Sequence, residues 1–197
     1  MFRLTRRKFL VTTTAAALTP LPALALSESA AGSLVQTLVD KINAVIDSGK
    51  SETAMYSEFE KIFRTYADIT YVAAYALGAD ARTASASQKK AFTDAFTGYV
   101  SRKYGKRFRE FIGGRLEMDR VKAVKNYLEV RTIAHLRGQS PFDITFFVSD
   151  RTGKPLFFNM YIEGINMLLT ERTEVGAMLD RNRGDLNKTI ADLRKAG

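Results

Sequence analysis

The hydrophobic period of this chain changes twice, and that pattern limits the folds open to it. Apolar residues recur at helical spacing from Leu34 to Phe111, alternate from Leu128 to Ile162, and return to helical spacing after Gly164. Residues 33–48 carry a first stripe, Leu34, Leu38, Ile42, Val45 and Ile46, with Gly49 where a helix stops. A second helix starts near Ser51, with Met55, Phe59, Ile62, Phe63 and Tyr66 on one side. Asp68 to Leu77 is a short apolar helix ending at Gly78. Ser85 and Ser87 offer N-caps for a longer helix with Phe92, Phe96, Tyr99, Val100 and Tyr104, reaching toward Phe108 and Phe111. Gly113-Gly114 ends the helical half.

The alternating stretch reads as strands. Leu128, Val130, Thr132, Ala134 and Leu136 share one face, and Glu129, Arg131, His135 and Arg137 the other. The next strands place Phe142, Ile144, Phe146 and Val148, then Leu156, Phe158, Met160 and Ile162, on one face each. Gly138-Gln139-Ser140 and Asp150 to Gly153 have hairpin-turn composition. A strand over Leu116 to Val124 alternates poorly and leaves room for a bulge. Helices carrying Met167, Leu168, Val175, Met178 and Leu179, then Leu186, Ile190 and Leu193, close the chain. The order predicts an α+β fold: a four-stranded antiparallel sheet with one face covered by amphipathic helices.

The N-terminus is read as an address. Thr5-Arg6-Arg7-Lys8-Phe9-Leu10 is similar to the twin-arginine consensus, a weakly apolar run follows to Leu18, and Ala23-Leu24-Ala25 has a small-x-small cleavage pattern. The expectation is a signal peptide over residues 1–25, a single domain over 26–197 and export to the periplasm by the twin-arginine route. The whole chain holds 30 Lys+Arg and 21 Asp+Glu, a net +9. Removing residues 1–25 takes four cations and no acid, leaving a net +5 over 172 residues.

Composition then excludes chemistry. With no Cys and one His there is no disulfide framework, thiol nucleophile, Cys-ligated metal or multi-His site. The sequence contains no P-loop, GxGxxG, GxSxG or HExxH. His135 lies on a polar strand face, and Asp68, Asp119 and Glu163 are the acids nearest apolar segments, each readable as a cap or solvated position. The run containing Arg102, Lys103, Lys106, Arg107 and Arg109, interleaved with Tyr104 and Phe108, would suggest nucleic acid in a cytosolic protein. In an exported one it reads as a solvated helix face, or as a surface for anionic head groups or an acidic partner.

Gly153-Lys154-Pro155-Leu156-Phe157-Phe158-Asn159-Met160-Tyr161-Ile162-Glu163-Gly164-Ile165-Asn166-Met167 resembles a signature of the MlaC / toluene-tolerance phospholipid-binding family, in which a strand ends in [VI]-x-[IV]-[ED]-G-[VI]-S-L before a helix carrying Tyr-Arg. Tyr161-Ile162-Glu163-Gly164-Ile165 matches, and Arg172 falls at the Arg position. Asn159 stands where Asp is common, Asn166 where Ser is usual, and Glu171 where the Tyr precedes the Arg. The resemblance spans roughly Leu34 to Leu193. It implies a periplasmic, non-enzymatic carrier with no cofactor. The cargo is phospholipid, and the partners are an inner-membrane ABC transporter with its substrate-binding ring and an outer-membrane lipoprotein–porin complex.

Such a carrier needs an apolar cavity under the helices, of the kind NTF2-like folds also enclose. The residues expected to line it are Phe59, Phe63, Val72, Tyr75, Phe96, Val100, Phe146, Phe158 and Met160. Three other readings share these residues: an NTF2-like small-molecule enzyme, a hopanoid-associated lipid-binding protein, and a structural module presenting the Arg102–Arg109 face. An enzyme should carry a carboxylate or a Tyr–Asp pair at the cavity floor.

Overall fold

The structure is a computed structural model that describes residues 26–108 and 111–197. The expected signal segment, with Arg6, Arg7, Ala23 and Ala25, lies outside the described residues, as does Arg109. Polar caps set the helix starts. Ser27 accepts from the Ala30 amide at the head of α1 (Glu28–Ile46), and Ser51 from the Ala54 amide at the head of α2 (Glu52–Tyr66). Asp68 caps α3 (Ile69–Leu77), which ends at Gly78 with a φ of +70°. A short α4 (Asp80–Thr83) follows, which periodicity did not predict. Ser85 opens α5 (Ala86–Phe108) with a capping box: its hydroxyl accepts from the Gln88 amide, and Gln88 Oε1 accepts from the Ser85 amide.

The sheet has five antiparallel strands in chain order, one more than the sequence predicts: β1 (Arg115–Val124), β2 (Tyr127–His135), β3 (Phe142–Ser149), β4 (Leu156–Ile162) and β5 (Ile165–Asn166). The extra strand is only two residues long, too short for any periodic signal. It folds back through Glu163-Gly164, whose φ values of 49° and 79° make a tight hairpin turn. Asn166 then caps α6 (Met167–Arg181), and Asp185 caps α7 (Leu186–Lys195).

Two bulges break the sheet's register. In β1 the shift falls between Met118 and Arg120, so Asp119 has no partner in the ladder, which accounts for the poor alternation there. In β4 the two residues Phe158 and Asn159 stand against Phe147 alone. The bulge therefore removes Phe158 from the inner series that plain alternation gives it, and Phe157 takes its place.

Two hydrophobic cores result. The first lies under the sheet, where Val35, Leu38 and Ile42 of α1 meet Leu128, Val130, Phe146 and Val148. The second is helical, built from Phe92 and Phe96 of α5, Val175 and Leu179 of α6, and Ile190 and Leu193 of α7. Phe63 packs against both.

Candidate functional site: a cavity between two cores

Where the two cores part, a cavity of about 340 Å³ opens, at the lower end of the roughly 300–1,000 Å³ usual for ligand sites. The first core contributes Leu38, Ile42, Phe59, Phe146 and Phe157 to its wall, and the second contributes Val72, Phe96, Val100 and Leu168. Its lining includes the exposed Arg107, Gln139 and Glu163, so the chamber reaches the surface between the end of α5, the β2–β3 turn and the β4–β5 turn. The inside is largely apolar, with the buried Ser101, Asn159 and Glu171 as its polar lining residues, and the rim is polar.

The structure brings Phe59, Phe63, Val72, Phe96, Val100, Phe146 and Met160 together on this wall. Phe158 also borders the cavity, but its ring packs edge-on against Tyr71 and Tyr127, both at 5.7 Å. The inner ring is Phe157, 5.5 Å from Phe146 and 5.8 Å from Phe63. Tyr75 is not on the wall. The buried side of α3 runs through Val72, Ala73, Ala76 and Leu77, which turns Tyr75 toward α6. There it meets the Arg172 guanidinium at 5.2 Å from its ring.

The basic run does not form one exposed surface. Arg102 donates to the carbonyls of Leu193 (2.7 Å) and Ala196 (2.6 and 2.9 Å), securing the open end of α7. Lys106 donates to the Gly197 carbonyl at 2.7 Å. Lys103 turns inward, 2.8 Å from Glu171 Oε1 and 2.7 Å from Glu174 Oε2. Of the four described cations in that run, Arg107 borders the cavity.

Sequence spacing did not reveal the polar cluster around Glu171. Glu171 is 3% exposed and lines the cavity. Its Oε1 accepts from Lys103 and from the Tyr104 hydroxyl. Tyr99 donates to Glu174 Oε2 at 2.5 Å. Burial and the Glu171 charge push the Tyr104 hydroxyl well above the tyrosine range, and burial and the bond to Glu174 do the same for Tyr99. Both phenols therefore stay protonated and serve as donors, not as bases. Burial works to raise the Glu174 carboxyl, but the hydrogen bonds from Lys103 and Tyr99 outweigh it and hold Glu174 below the usual range. The residues that meet here lie about seventy positions apart in the chain, and their pairing leaves no local pattern.

The other acids are accounted for locally. Asp68 caps α3 with one oxygen and takes Arg151 Nε at 2.8 Å on the other. Asp119, the bulged residue of β1, lies 2.6 Å from Arg131 Nη1. Glu163 sits in the β4–β5 turn at the cavity rim. His135 Nε2 lies 3.0 Å from Glu117 Oε2 on the sheet's polar face. Among the described residues no cluster of three or more acids or histidines could hold a metal ion, and no helix is long and apolar enough to cross a membrane.

Asn159 and Asn166, two of the departures from the family pattern, work together. Asn159 Nδ2 donates to Asn166 Oδ1 at 3.1 Å, and Asn159 Oδ1 accepts from the Leu168 amide at 3.2 Å. Asn166 Nδ2 donates to the Tyr161 hydroxyl at 3.0 Å. These bonds tie β4 to the head of α6 and fix one wall of the chamber.

Fold and site together define a class of protein: a helix-backed antiparallel sheet that encloses an apolar chamber with a polar mouth. The chain belongs to the MlaC protein family, whose family model matches residues 35–195. It is also similar in structure to a phospholipid-binding protein from Ralstonia solanacearum solved in complex with a phospholipid. That match has a TM-score of 0.70 at 18% identity and covers 83% of this chain and 98% of the other.

Proposed function

We propose that this protein is a periplasmic lipid carrier that holds phospholipid in the cavity between its two cores. In this reading it passes lipid between an inner-membrane ABC transporter with its substrate-binding ring and an outer-membrane lipoprotein–porin complex, and so maintains outer-membrane lipid asymmetry. The observation that carries the reading is the chamber itself, with apolar walls and the polar residues Arg107, Gln139 and Glu163 at its mouth. Membership of the MlaC family supports it, as does the likeness to a protein solved with phospholipid.

The physics demands such a shape. Each methylene kept from water is worth about 0.8 kcal/mol, so two long acyl chains cost on the order of 20 kcal/mol to expose in transit. A carrier has to bury the tails and can leave the charged head at the rim. Covalent chemistry is not needed, and the cavity carboxylate is already held by Lys103 and Tyr104.

Native mass spectrometry of the purified protein, before and after organic extraction, tests the reading. A phospholipid adduct that extraction removes is expected, and its repeated absence sinks the carrier. Met160→Glu, which puts a charge on the half-buried wall, should abolish the adduct while the chain stays folded. Export is tested separately: Arg6-Arg7→Lys-Lys should block it, and unchanged export would favour the general secretory route.

A further inference from the structure

Three of the four large apolar side chains exposed on the described surface gather at one end of the molecule. Ile112 is 54% exposed, Ile165 60% and Leu169 50%. The fourth, Met118, lies mid-strand in β1, near Gly32 of α1. The three flank the cavity mouth. Ile112 follows Phe111, a lining residue whose ring stands edge-on to Phe142 at 6.1 Å. Phe142 opens β3, and the carbonyl of the next residue, Asp143, accepts from the Glu163 amide at 2.9 Å. Glu163 is the rim residue of the β4–β5 turn, and Ile165 pairs with Ile162 across that turn. Leu169 lies in the first turn of α6, next to the lining residues Met167 and Leu168. Two guanidinium groups belong to the same end: Arg107 on the rim, and Arg137 against Gly113, the residue after Ile112.

Exposed aliphatic side chains are ordinary when scattered and informative when they flank an opening. Their chemistry selects the partner. A stable protein interface covers roughly 800 Å² on each side and is anchored by aromatic rings or arginines seated in fitted pockets. Three aliphatic side chains spaced around an opening form no such contiguous patch. A bilayer makes no demand for fit. Each aliphatic side chain that enters the acyl boundary gains by itself, and an arginine beside it meets anionic head groups. The charge runs the same way, with Arg107 and Arg137 against Glu163 at this end and a net +5 over residues 26–197.

We propose that this end of the molecule docks on an anionic phospholipid bilayer, with Ile112, Ile165 and Leu169 entering the acyl boundary and Arg107 and Arg137 at the phosphates. The proposal rests on the carrier reading above and adds to it the way cargo is loaded. The mouth opens directly onto the lipid layer, so the tails pass between bilayer and cavity without crossing water.

The test uses the delipidated full chain and two kinds of vesicle, equal parts phosphatidylglycerol and phosphatidylcholine or phosphatidylcholine alone, each with a trace of fluorescent phospholipid. Pickup of the label is expected to be about fivefold or more faster from the anionic vesicles and to slow in high salt. Ile112→Glu/Ile165→Glu should slow it about tenfold or more. Met118→Glu, the same kind of change away from the mouth, should leave it as in wild type. Residues 1–25 are identical in every chain, so vesicle binding through them drops out of the comparison. Dihexanoylphosphatidylcholine, supplied as monomers, reports the cavity alone and should bind equally to all three. If the double variant loses the monomer as well, Leu169→Glu takes its place with the same readout. Monomer binding with pickup equal in wild type and mouth variant, or equal from the two kinds of vesicle, overturns the docking and leaves the carrier standing. Monomer binding with no pickup from vesicles also overturns it and assigns the mouth to a protein partner. Failure of wild type to bind the monomer removes the carrier reading and the docking with it.

Discussion

Backbone hydrogen bonds running through five strands hold the core under the sheet, whereas α5, α6 and α7 of the second core are positioned against one another mainly by side chains. The difference matters because both cores supply the cavity wall. On the sheet side the ladder fixes Phe146 opposite Met160 and Val130 opposite Phe146. On the helical side, the placement of α5, α6 and α7 depends on the packing of Phe92 and Phe96 against Val175, Leu179, Ile190 and Leu193, on Arg102 holding the end of α7, and on Lys103 bridging α5 to α6. A wall set by ladder bonds shifts as a unit or not at all. A wall set by side-chain packing can slide by small amounts. If a ligand enters the cavity, the helical side is expected to yield before the sheet.

The largest expected effect comes from deleting a ring within the helical core. Phe92 is 1% exposed and does not border the cavity, so Phe92→Ala should cost about 3–5 kcal/mol in denaturant unfolding. Phe63 touches both cores but opens onto existing space, and Phe63→Ala should cost only about 1–2 kcal/mol. Equal losses would break the idea that the cavity separates two packed units.

A smaller effect sharpens the same contrast from the opposite direction. Val175 is fully buried in the helical core, and Val72 borders the cavity. Val175→Phe should overpack its site by about 1–3 kcal/mol, while Val72→Phe should be close to neutral and should reduce bound lipid in the extraction assay. Val72→Phe that leaves the lipid content unchanged would mean that the cavity is not where the lipid sits.

The smallest effect concerns pH. The Glu174 carboxyl is depressed in the folded protein from its ordinary value of 4.5. Its stabilising contribution is therefore complete above about pH 4.5 and is lost as pH falls through the lower folded value. Glu174→Gln should flatten the stability profile on that acid limb and leave the sheet core's unfolding cooperativity unchanged. An acid limb identical to wild type would show that the Lys103 bridge does little to join α5 to α6.

The α+β order is legible because periodicity is a local property: helices begin at Ser51 and Ser85 and the strands follow the alternation of Leu128 to Val148, whereas α1 starts at Ser27, ahead of the stripe read over residues 33–48. Errors arose where local pattern and three-dimensional placement part. Leu156, Phe158, Met160 and Ile162 alternate faultlessly in sequence, yet Phe157 is equally apolar, so nothing in the residues shows which of two adjacent rings a bulge will turn inward. Tyr75 sits on an apolar helix whose phase toward the sheet only packing decides. The basic run looked solvated because charges repeat there, but the partners of Lys103 and Arg102 come from α6 and from the end of the chain. In the sequence Glu171 stands out only as a departure from a family pattern, and only the fold brings it beside Lys103 and Tyr104.

The kink at Asp119 has a consequence for the company the protein can keep. β1 pairs with β2 on one side only, so its other backbone edge could template a strand from a second molecule. Asp119 interrupts that edge, and Glu117, Arg120 and Lys122 place charges of both signs along it. Under the carrier reading proposed above, which has the protein meet and leave several partners, a sheet without a straight free margin for foreign strands to zip onto is an advantage. For this chain, the bulge that spoils the alternation also makes the free edge a poor template for another strand.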